Sequence, residues 1–102
     1  MEILVNREGD LLRFEIGGVI DERGAEDIKR RFGEMNASTL KEVVFDFRKV
    51  VHIGSAGIGK LLLFYKDLAI RGGNIRIENA SETVYDLLRV LKLDTLFAIS
   101  KG

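Results

Sequence analysis

Several residue types are missing or scarce in this chain of 102 residues, and each absence removes a class of function. There is no cysteine, which excludes disulfide bonds and thiolate metal sites and favours an intracellular compartment. The one histidine, His52, supplies a zinc site poorly, so we expect neither a metal nor another cofactor. Proline and low-complexity segments are also absent, so no linker is evident, and residues 1–102 are predicted to form one small domain.

Net charge and long apolar runs are missing as well. Sixteen basic residues balance sixteen acidic ones, which removes the long-range attraction expected of a protein that binds nucleic acid or an anionic membrane. No apolar run is long enough to span a bilayer, and the amino-terminal residues lack the basic start and apolar core of a secretory signal. The sequence therefore predicts a cytoplasmic protein with no membrane insertion and no direct contact with nucleic acid.

Strand and helix patterns alternate along the chain and predict an α/β fold. Two apolar segments flank a polar turn near the amino terminus, which indicates a β-hairpin, and Gly17-Gly18 is expected to end its second strand. Asp21 and Ser81 stand at the N-cap positions of two amphipathic helices. Further strands are expected over residues 74–77 and 96–99. Strands separated by helices of about 12 residues pair in parallel through right-handed crossovers.

The middle of the chain reads as a buried strand, a turn and a helix that opens on Ser55. A polar connection over residues 36–41 leads into the strand. Glycines 54, 57 and 59 keep bulky side chains away from the Ser55 hydroxyl, and the start of the helix presents unpaired N–H groups beside it. Because functional crevices lie beyond the carboxyl ends of parallel strands, Asp21, Ser55 and Ser81 are expected to share one rim.

Two enzymatic interpretations fit this segment incompletely. Residues 54–60 match the glycines and lysine of a phosphate-binding P-loop, but Leu61 stands where a Ser or Thr must bind magnesium. The sequence therefore argues against nucleotide hydrolysis and leaves only weak nucleotide binding as an option. Ser55 lacks the glycine spacing of a nucleophile elbow, and His52 is too near in sequence to act as its base. Asp46, inside the strand, is expected either to hydrogen-bond nearby backbone or to point to the open edge of the sheet, in a structural role rather than in acid–base chemistry. We therefore predict no catalytic residue and no enzymatic activity.

The same segment resembles the STAS domain family, whose name covers sulfate transporters and bacterial anti-sigma factor antagonists. The resemblance is strongest over residues 43–62 and extends more loosely over the whole chain. The residues that carry it are Val44, Phe45, Asp46, Phe47, Val50, Ile53, Ser55, Gly57, Ile58, Gly59, Leu61 and Leu62, together with Gly18–Asp21 before them and Gly72, Gly73, Val84, Leu87, Leu88 and Leu91–Leu93 after them. It implies one small α/β domain with a four- to five-stranded, mostly parallel sheet, an N-terminal β-hairpin, and three to four helices packed mainly on one face.

The resemblance also implies a regulatory function. In stand-alone members the serine that matches Ser55 is phosphorylated by a partner that is both an anti-sigma factor and a serine kinase. The unmodified protein is then expected to bind this kinase and free a sigma factor for transcription, and phosphorylation is expected to release it. The implied partner-binding residues are Asp21, Gly54, Ser55, Ala56, Gly57 and Lys60.

This chain departs from the family pattern beside the serine. Gly54 occupies the place of the family's usual aspartate, and Ala56 occupies a place where Ser or Thr is common. The alternative interpretation is therefore a non-phosphorylated STAS subunit of a larger signalling scaffold or lipid-transport complex. The sequence leaves the oligomeric state open between a monomer and a weak dimer.

Overall fold

The computed structural model describes residues 1–35 and 39–102, which form a five-stranded sheet and three α-helices. The strands are β1 (Glu2–Glu8), β2 (Leu11–Ile20), β3 (Glu42–Ile53), β4 (Asn74–Ala80) and β5 (Ala98–Lys101). The helices are α1 (Glu22–Gly33), α2 (Ser55–Ile70) and α3 (Glu82–Val90), and a 3₁₀ turn spans Leu93–Thr95. The sheet has the order β1-β2-β3-β4-β5, in which β1 is antiparallel to β2 and the other pairs are parallel. The predicted α/β class and mostly parallel sheet are confirmed; residues 36–38 of the predicted polar connection lie outside the described residues.

Strands β1 and β2 form the predicted hairpin, which a two-residue loop closes. Gly9 takes the first loop position with φ +61°, as a Gly-X hairpin loop favours. The prediction that Gly17-Gly18 ends the second strand was wrong, because β2 continues to Ile20. Gly17 pairs with β1 on one side and with Lys49 of β3 on the other, and these two ladders hold the backbone extended despite the weak strand preference of glycine.

The helices pack on one face of the sheet around a core of aromatic rings. Phe14 of β2 stacks on Phe45 of β3 with 5.2 Å between ring centroids, and Phe64 of α2 lies 6.0 Å from Phe45. Phe32 of α1 completes the stack at 4.7 Å from Phe64. This stack fixes α1 and α2 against β2 and β3. No helix within residues 1–35 and 39–102 is long and apolar enough to cross a membrane.

Charged side chains cover the opposite face of the sheet. An Arg13 guanidinium nitrogen on β2 lies 3.0 Å from a carboxylate oxygen of Glu78 on β4, and Arg76 pairs with both Glu42 and Glu78. Val44 lies between the two arginines in the strand register and is fully buried. The aliphatic parts of the arginines thus shield apolar surface while their charges are neutralised by neighbouring strands.

This ion-pair network should make stability depend on pH. The hydrogen bond from Arg13 lowers the pKa of Glu78, with burial opposing and the charge of Arg76 assisting. A carboxyl group with a lowered pKa in the folded state stabilises the fold above its ordinary pKa of 4.5 and loses this contribution as the pH falls through the folded value. Arg13→Met should therefore lower the free energy of unfolding at neutral pH by about 0.5–1 kcal/mol, and the difference from wild type should shrink below about pH 4.

Urea unfolding at neutral and acidic pH measures this effect. The control is Arg30→Met, because Arg30 pairs with Asp27 on the exposed side of α1 and should contribute little. The stabilising role of the Arg13–Glu78 pair would be contradicted if the two variants lost equal free energy of unfolding at neutral pH. It would also be contradicted if the loss in Arg13→Met persisted in acid.

Candidate interaction site at the start of helix α2

Strands β2 and β3 end side by side and bring Asp21 and Ser55 to one edge of the sheet. Ile20 and Ile53 are opposite each other in the register, and the Gly54 N–H donates to the Ile20 carbonyl at 2.9 Å. The chain turns into α1 directly after Ile20 and into α2 directly after Ile53. The predicted functional edge therefore contains Asp21 and Ser55.

Ser81 does not share this edge, so that part of the prediction was wrong. The pairing of β3 with β4 stops at Asp46 and Glu78, and β4 ends two residues later at Ala80. Ser81 thus follows a strand that stops about five residues, or ~16 Å, short of the end of β3. Unequal strand lengths separate it from Ser55, and a pattern of helix caps does not reveal strand lengths.

The three helices differ in how their first turns are capped. The carboxylate of Asp21 accepts a hydrogen bond from the Gly24 N–H at 2.8 Å, and the Ser81 hydroxyl accepts one from the Val84 N–H at 3.2 Å, so both predicted caps are confirmed. Helix α2 has Gly54 at its N-cap and no side-chain cap. Its first N–H groups are therefore left for water or for a partner.

Ser55 is the first residue of α2, and its side chain is exposed. Among residues 1–35 and 39–102 its hydroxyl has no hydrogen-bond partner. It stands at the positive end of a helix of 16 residues, where an added negative charge is favoured. Gly59 and Leu63 follow at helical spacing on the same exposed face, and Leu63 is 48% exposed. Ser55 thus begins a surface stripe with an apolar end.

The glycines around Ser55 have different physical roles. Gly57 is buried, and a Cβ there would lie 2.8 Å from side-chain carbons of both Ile20 and Ile53. The lack of a side chain at Gly57 allows α2 to pack directly on the ends of β2 and β3, and this packing positions Ser55. Gly57 itself contributes little exposed surface. Gly59 is exposed, and a Cβ there would meet nothing within 4 Å.

Lys60 is engaged inside the domain. Its ammonium nitrogen lies 3.1 Å from a carboxylate oxygen of Glu26, and its side chain is only 19% exposed. The hydrogen bond from Lys60 lowers the pKa of Glu26. This pair links α1 to α2, so a partner that uses Lys60 must compete with Glu26. Sequence reasoning missed Glu26, because no spacing pattern connects it to a residue on another helix.

The geometry also bears on the enzymatic interpretations. Gly57 and Gly59 lie within the regular helix α2, whereas the glycines of a P-loop lie in a loop that wraps around phosphate. No hydrogen bond joins Ser55 to His52 in the described part of the chain, and His52 lies opposite Val19 on β2. No cluster of metal-ligating side chains occurs within residues 1–35 and 39–102.

Asp46 has the structural role that the sequence predicts. It accepts hydrogen bonds from the Arg48 backbone N–H at 3.0 Å and from the Asn79 side chain at 3.1 Å. Asn79 has φ +60°, a left-handed conformation that asparagine tolerates better than most residues. Asp46 therefore stabilises the point at which β3 and β4 diverge.

Gly54→Asp should stabilise the protein, because it adds a cap that α2 lacks. The Gly54 backbone is extended, with φ −89° and ψ 177°, and a Cβ would only touch the Ile20 carbonyl oxygen at 3.6 Å. An aspartate there can accept from the first-turn N–H groups and interact with the helix dipole, so we expect a gain of about 0.5–1 kcal/mol in the free energy of unfolding. Urea unfolding provides the measurement. Gly54→Ala is the control and should lose a few tenths of a kcal/mol; a gain as large as that of aspartate would contradict the capping explanation.

Comparison with known proteins agrees with this architecture. The STAS domain model matches residues 2–101. A STAS-domain containing protein of Pseudomonas aeruginosa (strain UCBPP-PA14) is 28% identical over 97 residues, which cover 95% of each chain. The anti-sigma factor antagonist SpoIIAA in its unphosphorylated form superposes with a TM-score of 0.84 at 16% identity, covering 99% of this chain and 90% of that one. The Bacillus cell fate determinant SpoIIAA in its phosphorylated form gives a TM-score of 0.78 at 14% identity, covering 99% of this chain and 93% of that one. Because the family model matches nearly the whole chain, this protein belongs to the STAS domain family.

Proposed function

We propose that this protein is an anti-sigma factor antagonist that phosphorylation of Ser55 switches off. The observation that carries the proposal is the exposed hydroxyl of Ser55, which has no hydrogen-bond partner in the described chain and begins α2 beside Asp21. The fold match to an antagonist solved in both unphosphorylated and phosphorylated forms supports it. The protein acts by binding and has no catalytic role of its own.

The partner is a kinase-type anti-sigma factor that docks on the edge holding Asp21 and Ser55. Its contact surface includes the remaining predicted residues Gly54, Ala56 and Lys60, while Gly57 acts by positioning the helix. The stripe along α2 extends this surface to Leu63, whose exposed side chain supplies apolar area. Docking sequesters the anti-sigma factor, so its sigma factor is free to direct transcription.

Phosphorylation reverses the binding through local charge. The kinase transfers the terminal phosphoryl group of ATP to the Ser55 oxygen, the hydroxyl proton passes to a base of the kinase, and ADP leaves. The product carries a charge of about −1.5 to −2 and three acceptor oxygens. The free domain tolerates this group, because a helix N-terminus is a natural anion site. In a packed interface the same group must lose its water, so the complex is destabilised without refolding of the domain.

Incubation with ATP and the kinase-type anti-sigma factors of the same genome tests the proposal. Intact-mass analysis should show the gain of one phosphoryl group in the wild type and none in Ser55→Ala. A phosphoryl group that also appears on Ser55→Ala, or a wild type that none of these kinases modifies, would contradict it.

A second candidate function is a structural STAS subunit that is never phosphorylated. Gly54 favours this alternative, because the aspartate usual beside the serine is absent although the backbone and the surrounding space accept a side chain. Affinity purification from cells separates the two functions. Non-kinase partners bound to an unmodified Ser55 support the subunit, and a kinase-type partner supports the antagonist.

A further inference from the structure

The last part of β3 contains two β-bulges. One falls between Asp46 and Lys49 and the other between Val50 and His52, and at each bulge β3 has one residue more than β2. The second bulge leaves Val51 without a partner in the register. Bulges occur preferentially next to functional sites, where they redirect a side chain. Here the redirected side chain stands four residues before Ser55.

Val51 is an exposed apolar residue with a second one close to it. Its exposed fraction is 70%, and that of Val19 on the neighbouring strand is 46%. Ile20 and Ile53 are opposite each other and buried towards the helices, so Val19, one position earlier, faces the other side of the sheet. On β3, Val50 and Ile53 belong to the core, whereas Val51 and His52 between them are exposed, which places Val51 on the same side of the sheet as Val19. Leu63 lies on the helix side.

Single exposed apolar residues are common and need no explanation. These two differ because they are on adjacent strands near the ends that lead to the site: Val19 lies two residues before Asp21, and Val51 lies four residues before Ser55. A stable complex buries about 800 Å² on each partner around an apolar centre. Asp21 and Ala56 offer little apolar area for such a centre, and most of the Lys60 side chain is already buried.

We infer that Val51 and Val19 form an apolar contact for the kinase-type anti-sigma partner on the sheet side of Ser55. This inference rests on the proposed function and extends its surface across the edge of the sheet. A kinase must exclude water around the hydroxyl that it phosphorylates, so its surface has to enclose Ser55 from more than one side. The helix side offers the α2 stripe, and the sheet side offers the two valines.

The affinity of Val51→Asp for the purified kinase-type anti-sigma factor tests the inference. Burial of a carboxylate in place of a valine should weaken the complex at least about tenfold in titration calorimetry. The matched control is Ile70→Asp, because Ile70 is 84% exposed at the far end of α2, about 22 Å from Ser55 along the helix. Its affinity should stay within about twofold of wild type. Both variants replace an exposed residue, and urea unfolding checks that both retain the wild-type fold.

The possible outcomes separate the inference from the proposed function. If Val51→Asp binds as tightly as Ile70→Asp while Ser55→Glu binds weakly, the valine contact is wrong and the phosphorylation switch stands. If Val51→Asp instead abolishes self-association in sedimentation without changing partner affinity, the valines contact a second copy of this chain and the inference is overturned. If the wild type binds no kinase-type anti-sigma factor, both are overturned.

Discussion

Ser55→Glu should bind the kinase-type anti-sigma factor roughly 30-fold more weakly than wild type, and phosphorylated Ser55 up to about 1,000-fold more weakly. These factors correspond to a loss of about 2–4 kcal/mol at tenfold per 1.4 kcal/mol. Glutamate carries one negative charge and two acceptor oxygens, whereas the phosphoryl group carries nearly two charges and three oxygens. The loss of binding free energy for Ser55→Glu is therefore expected at the lower end of this range. The effect arises because the charged group begins α2 in an exposed position that docking covers.

Ser55→Ala is the matched variant for this measurement. It removes a hydroxyl that has no intramolecular partner in the described chain. The equilibrium constant of folding and the affinity for the partner should therefore each change by no more than about twofold. It should remain bound in the presence of ATP and behave as a permanent activator of the sigma factor. Equal affinity of wild type, Ser55→Ala and Ser55→Glu would contradict the switch.

Gly57→Val should lower the free energy of unfolding by about 3 kcal/mol. Its Cβ alone would lie 2.8 Å from carbons of Ile20 and Ile53, two side chains that are almost completely buried, and the γ-methyl groups add to this overlap. Overpacking of this kind costs typically about 1–3 kcal/mol, and simultaneous clashes with two strands place this site at the upper end. Thermal and urea unfolding provide the measurement.

Gly59→Val is the control for this substitution, two residues along the same helix. A Cβ at Gly59 meets nothing within 4 Å, so only helix propensity acts, and a gain of a few tenths of a kcal/mol is expected. A Gly57→Val variant as stable as Gly59→Val would show that α2 can move away from the strand ends. Partner binding by Gly57→Val should also weaken, because any such movement displaces Ser55.

Much of the fold was predictable because its signals are local. Asp21 and Ser81 were identified as caps from residue type alone, since capping depends on one side chain and the N–H groups of the next turn. The hairpin loop at Gly9, which has φ +61°, follows from the same kind of local preference. The continuation of β2 through Gly17 was not predictable, because pairing with two neighbouring strands overrides local propensity.

The candidate site divides in the same way. The position of Ser55 at the start of a helix and the exposure of its side chain could be predicted from the local sequence. The engagement of Lys60 by Glu26, the absence of Ser81 from the edge and the exposure of Val51 could not. Each of these depends on how two elements distant in sequence lie beside each other in space. The pattern of residues along the chain does not show which side chains meet across two helices, where a strand ends relative to its neighbour, or where a bulge occurs.

By itself, the sequence determined the α/β class, the helix caps, the family and a serine that opens α2, because each of these depends on periodicity or on residues adjacent in the chain. Only the tertiary structure decided which side chains stand around that serine. The register of β2 against β3 aligns Ile20 with Ile53 and brings Asp21 beside it, while the bulges turn Val51 outwards. The physical reason is that contacts between strands are fixed by hydrogen-bond ladders and close packing across the sheet, and these forces act between residues distant in sequence.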